Sequence, residues 1–136
     1  MQTWTLPAAV AFVCWGIWAF LPKLTTRYID PQSAIVYEAL GGLLVAIAVL
    51  ALLAFRPAAE PRGVALALAT GILGAGGALA YLFAVVRGPV TLIASATALY
   101  PILAVALATV FLHEPVSLRQ ALGVILGLIA IVLVTI

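Results

Sequence analysis

The hydrophobic positions of this chain fall in long unbroken runs, not in strict alternation or in narrow stripes. Five runs stand out, at about residues 4–22, 33–55, 63–86, 90–112 and 117–136, separated by short polar or proline-bearing joints. A hydrocarbon core about 30 Å thick is crossed by about 20 apolar residues in a helix, and each run has roughly that length. Inside lipid every backbone polar group must be paired, which a helix does within its own segment. A transmembrane β-barrel would need alternating polarity that these runs lack. The pattern therefore predicts an all-α membrane protein, a five-transmembrane-helix bundle in one domain over residues 1–136, with its termini on opposite sides.

The joints carry turn and cap chemistry. The first run holds Pro7 in its opening turns and ends at Pro22-Lys23; it lacks the basic leader of a cleavable signal peptide. Asp30-Pro31 reads as a turn, with Ser33 as the N-cap of the second helix. The joint Arg56–Arg62 is short and stiff, and Arg87-Gly88-Pro89 makes a tight turn before the fourth run. Pro101 cannot donate to the Thr97 carbonyl, which predicts a kink near the middle of that helix. His113-Glu114-Pro115 closes it, with Glu114 suited to the helix N-terminus that follows. Ser117 and Gln120 have the spacing of a capping box for the last helix. Gly123 and Gly127 follow at the spacing of a helix-packing motif, and Thr70, Gly74 and Gly77 share a small face in the third run.

Composition agrees with burial in lipid. The chain is 67% hydrophobic and 7% charged, with mean hydropathy +1.34, against about 25% charged residues in soluble domains. The net charge of +2 is too small and dispersed for nucleic-acid binding. The lone Cys14 has no internal disulfide partner and reads as a space-filling thiol. With one histidine and no phosphate-binding loop, metal-ligand cluster or nucleophile triad, the chain is expected to be no enzyme and to hold no metal or cofactor.

Charge placement raises a question of orientation. Five spans put Arg56, Arg62 and Arg119 on the N-terminal side and Lys23, Arg27 and Arg87 on the other, three against three. Orientation ordinarily follows a Lys/Arg excess on the cytoplasmic side. A tie leaves the direction of insertion open, which points to dual topology and antiparallel homodimers. Five helices also hardly enclose a solute path sealed from lipid, whereas two inverted units do.

Several short motifs, taken in order, point to a family. Trp15-Gly16, the glycine-rich third run ending in Ala80-Tyr81, Arg87-Gly88-Pro89, Leu99-Tyr100-Pro101, Leu112-His113-Glu114-Pro115 and Gly123 resemble an EamA domain. That domain is the repeat unit of the drug/metabolite transporter superfamily. The resemblance covers nearly the whole chain and is strongest from Gly71 to Ile131. Larger members look like two such domains in tandem; this chain looks like one, similar to short bacterial and archaeal members of the inner membrane. It is more distantly similar to the four-helix small multidrug resistance proteins, which pair antiparallel. Those carry a membrane carboxylate in their first helix, whereas here Glu38 lies in the second. The resemblance implies a secondary transporter of small organic solutes such as amino acids, metabolites or organic cations. A non-transporting partner subunit and a lipid-carrier flippase subunit are the alternatives.

The candidate site residues follow from cost and chemistry. Glu38 is the one carboxylate clearly inside a span, and a charge at mid-bilayer costs about 2.5–3.5 kcal/mol on insertion scales. Such a residue faces a cavity or a partner and can exchange a proton, so Glu38 is the candidate coupling residue; pairing with Lys23 or Arg27 is its structural alternative. Trp15, Trp18, Tyr81 and Tyr100 offer aromatic faces for cations or flat solutes, and Tyr37 lies at similar depth. Ser95 and Thr97 either bind solute or bond back to their own helix. Gly123 and Gly127 are the candidate dimer seam.

Overall fold

The structure, a computed structural model, describes residues 3–135; Ile136, the last residue of the predicted fifth run, lies outside them. It is all-helical, with no strand among the described residues: α1 (Thr5–Thr25), α2 (Pro31–Leu52), α3 (Pro61–Arg87), α4 (Val90–Thr97), α5 (Tyr100–Phe111) and α6 (Leu118–Thr135). Four segments are long and apolar enough to cross a bilayer, namely α1, α2, α3 and Val90–Phe111. A shorter apolar stretch, Leu118–Leu133, supplies the fifth. The 18 residues of α6 rise about 27 Å at 1.5 Å each, close to the hydrocarbon thickness. The chain divides into two packing units, Met1–Arg87 and Gly88–Ile136.

In the first unit, caps set the helix limits more finely than hydropathy does. The Asp30 carboxylate accepts the Ser33 N–H at 2.8 Å and the Ser33 hydroxyl at 2.7 Å. Asp30 is therefore the N-cap of α2, and Pro31 takes the first helical position, where a missing N–H costs nothing. Ser33, expected as the cap, is instead the residue being capped. These two bonds hold the Asp30 carboxyl below its ordinary value of 3.8. A lowered carboxyl contributes stability above its unfolded-state value and loses it as pH falls through the folded one; this cap therefore weakens on acidification below the ordinary carboxylate range. At α3 the Glu60 carboxylate accepts the Gly63 N–H at 2.6 Å.

The end of α2 needs a left-handed residue and has no glycine to supply it. The Ala54 N–H donates to the Ala51 carbonyl and the Phe55 N–H to the Leu50 carbonyl, both at 3.0 Å. This is the paired bonding of a Schellman motif, with Ala54 at φ 50° and Phe55 at φ 59°. The helix therefore stops at Leu52 although apolar residues continue to Phe55.

Buried side chains of this unit gather at one end: Pro22 of α1, Ala34 at the start of α2, and Tyr81, Leu82 and Val85 near the end of α3. Much of the remaining apolar surface, Phe12, Leu66 and Ile72 among it, is exposed. In a bilayer acyl chains cover such surface, so burial inside the protein is not required.

In the second unit the fourth apolar run is broken. A turn at Ala98–Leu99 separates α4 from α5, three residues before Pro101, which has no N–H for the Thr97 carbonyl. The expected kink is thus a two-residue turn at which the backbone stays in the right-handed helical region. α5 ends with His113 at φ 54° and the Glu114 N–H on the Ala108 carbonyl at 3.4 Å. α6 starts in a reciprocal capping box. The Ser117 N–H donates to Gln120 Oε1 at 2.8 Å, and the Gln120 N–H donates to the Ser117 hydroxyl at 3.3 Å. α4 packs against α6.

Removing the alanine methyl from the left-handed position should stabilise the protein. Ala54→Gly is expected to raise the thermal midpoint in detergent by about 2–4 °C, the effect of about 1 kcal/mol. An unchanged or lower midpoint would mean that the extra freedom of glycine in the unfolded chain outweighs the relief.

Candidate functional site

The polar and aromatic groups of the first unit converge where its buried residues do. α1 and α3 are joined there by two reciprocal bonds from side chain to backbone. The Tyr81 hydroxyl of α3 donates to the Ala19 carbonyl of α1 at 2.7 Å. The Lys23 ammonium of α1 donates to the Val85 carbonyl of α3. Each bond spans 62 residues, and 19 and 23 are one turn apart, as are 81 and 85. The two helices therefore run parallel at this joint. Pro22 lies between the bonded positions and leaves the Trp18 carbonyl without its usual helical donor.

Trp18 packs its ring on Tyr81, with centroids 5.5 Å apart and planes tilted by 34°. Its indole N–H is turned toward the Glu38 carboxylate, a looser interaction than the two bonds of the joint. Tyr81 is only 5% exposed and Trp18 38%, while Glu38 is half-buried. The group thus combines a buried phenol fixed to a backbone carbonyl, a half-buried carboxylate, and an indole that lies against the phenol ring and is the most exposed of the three. Chemically it offers a negative charge beside an aromatic face in a medium where that charge is costly.

The structure brings together three of the seven residues expected to bind solute: Trp18, Glu38 and Tyr81. Trp15, one turn before Trp18, is 61% exposed. Lys23, read from the sequence as a flanking charge and a possible partner of Glu38, is engaged with Val85. Tyr100, Ser95 and Thr97 belong to the second unit. Tyr100 is exposed. The Ser95 hydroxyl donates to the Thr91 carbonyl at 2.8 Å, and the Thr97 hydroxyl donates to the carbonyls of Ile93 at 2.9 Å and Ala94 at 3.1 Å. Both hydroxyls are thereby turned to their own helix. Gly123 and Gly127 line an apolar groove of about 400 Å³, opposite Pro101, Ile102 and Val105 and with Gln120 in its wall. A methyl group added at either glycine would meet nothing within 4 Å. A second apolar hollow of about 550 Å³ follows α5 itself, along Ala104, Leu107, Ala108, Phe111 and Leu112, and contains no charged group.

The joint between α1 and α3 could not be read from the sequence as a pair. Tyr81 and Lys23 each carried a signal, an aromatic and a cation near a span end, but their acceptors are backbone carbonyls, which every residue has.

The spans and the ordered motifs define the class, a multi-spanning transport protein. The chain matches the EamA-like transporter family over residues 2–136 and belongs to it. It is thus a protein of drug/metabolite-transporter type. No curated protein and no solved structure matches the chain.

Two substitutions separate the two groups of polar residues. Trp18→Ala should lower stability by about 1–2 kcal/mol, through loss of the aromatic pair and its packing. Ser95→Ala should stay within about 0.5 kcal/mol of the parent, because its hydroxyl only repeats a bond already present in the helix. Thermal unfolding in one detergent measures both; equal effects would contradict this division.

Proposed function

We propose that the protein is a secondary transporter of small organic solutes, working by alternating access as an antiparallel homodimer in a bacterial or archaeal inner membrane. Amino acids, related metabolites and organic cations are the solute classes. The observation that carries this reading is the grouping of Glu38, Trp18 and Tyr81 at the packed end of the first unit, in a chain of a transporter family. A carboxylate that faces an indole N–H and lies within a span has reason to take up either a proton or a cationic solute. Exchange between those two occupants couples a gradient to solute movement. Membership of the family supports transport as the activity. Pairing rests on separate ground, the three-against-three division of Lys and Arg and the five-span unit. Inversion of a second copy about an axis in the membrane plane gives one solute path two equivalent openings.

Two rival readings make different demands. A partner subunit for a different EamA-like chain would move no solute when reconstituted pure. A lipid-carrier flippase subunit would act on lipid-linked sugars and not on free metabolites. Thermal-shift screening of a metabolite library on the purified protein separates these and names the solute class.

Glu38→Gln keeps the side-chain shape and removes the titration. It should abolish gradient-driven uptake while leaving the protein folded and dimeric; unchanged uptake across several pH values would reduce Glu38 to an interfacial anchor. For pairing, two arginines added on one side of the chain should force a single orientation. Such a variant should lose transport alone and regain it with the oppositely biased variant. Full transport by either biased variant by itself would rule out antiparallel pairing.

A further inference from the structure

The faces by which α1 and α3 meet are longer than their contact. On α3 the contacting residues Tyr81 and Val85 continue backward, at helical spacing of three and four, through Gly77 or Ala78 to Gly74 and Gly71. A side-chain carbon built on Gly71, Gly74 or Gly77 meets nothing within 4 Å. On α1 the contacting residues Lys23 and Ala19 continue backward, at helical spacing of four, through Trp15, which is largely exposed. The bonds from Tyr81 to Ala19 and from Lys23 to Val85 thus close one end of a parallel helix pair. The same two faces, followed toward the helix N-termini, stand open. This is a wedge closed at one rim, with Trp18 and Glu38 at its closed end.

We infer that the α1–α3 joint is a gate, latched by the Tyr81 hydroxyl and the Lys23 ammonium on two backbone carbonyls. The inference rests on the alternating-access reading given above. In the state described here the latch is shut and the wedge is open. In the opposite state both donors release, and α1 closes onto Gly71 and Gly74, where the absence of side chains lets a backbone approach. The latch suits this task because each bond runs from a side chain to a carbonyl. Release leaves the α1 and α3 ladders intact, so the motion requires no unfolding of either helix.

The two halves of the device predict opposite responses. Spin labels are placed at Phe20→Cys and Val86→Cys, both exposed positions, in the full chain carrying Cys14→Ser and reconstituted in lipid. The inter-label distance should show a dominant short population and a minor long one. Tyr81→Phe, which deletes one hydroxyl, and Lys23→Met, which keeps most of the stem, should each raise the long population about five- to tenfold, the weight of one hydrogen bond. Lys23→Arg keeps a donor and should stay near the parent. Gly74→Leu finds open space in the present state and obstructs the other, so it should deplete the long population. Distributions that stay fixed in all variants, or that shift the same way for Tyr81→Phe and Gly74→Leu, overturn the gate. Uptake of a radiolabelled amino-acid mixture by the same proteoliposomes separates the two levels. Uptake with an invariant distance removes the gate and keeps transport, whereas opposite shifts without uptake of the mixture or of tetraphenylphosphonium keep the moving joint and remove the transport reading.

Discussion

Helices in lipid gain little from hiding apolar surface against one another, since acyl chains solvate leucine as well as another leucine does. Close packing and hydrogen bonds must decide where they meet. Between α1 and α3 that decision falls on their joint, where a phenol and an ammonium each find a carbonyl on the opposite helix, while α2 packs separately on α3. The buried residues Pro22, Leu82 and Val85 surround those bonds. Trp18 is placed by its ring contact with Tyr81, and Glu38 meets the indole that this contact positions. Without the joint Trp18 of α1 would have no fixed place beside Tyr81 of α3.

The helix limits show a second constraint at work. Each end must satisfy backbone groups that the helix itself cannot pair, and at several of them the chain supplies a specific device, whereas α1, α4 and α5 start without a side-chain cap. Asp30 and Glu60 supply carboxylates, Ser117 and Gln120 supply a reciprocal box, and Ala54 adopts a left-handed conformation in place of the usual glycine. These devices lie at the ends of the apolar spans, where polar groups are least costly. The Ala98–Leu99 turn is the exception, an interruption within an apolar run next to a proline.

What the sequence made legible follows from this physics. Span number and helical class came from run length, because lipid permits few alternatives. The capping box at Ser117 was readable because its two partners are adjacent in the chain. The start of α2 is capped by Asp30 and not by Ser33, since serine and aspartate compete for the role and only geometry shows Asp30 accepting and Ser33 donating. The end of α2 was set too late because no glycine marks the left-handed residue. In the site, Trp18, Glu38 and Tyr81 were each singled out by type and depth, yet their meeting was not, because 62 residues separate the bonded partners. Trp15 shares a helix face with Trp18 and was therefore indistinguishable by spacing; its exposure sets it apart. The hydroxyls of Ser95 and Thr97 were ambiguous by nature, and the structure turns both inward to their own helix.

The 62-residue separation also has a consequence for how the protein is made. Chains are synthesised at about 5–20 residues per second, so Ala19 and Lys23 leave the ribosome about 3–12 s before Tyr81 and Val85 do. During that interval the Val85 carbonyl that accepts from Lys23 is not yet made, and Pro22 has left one carbonyl without its helical donor. Early lateral escape into lipid would carry both defects into hydrocarbon. The insertion machinery must therefore retain the first span, or hold its lysine at the headgroup level, until the third arrives.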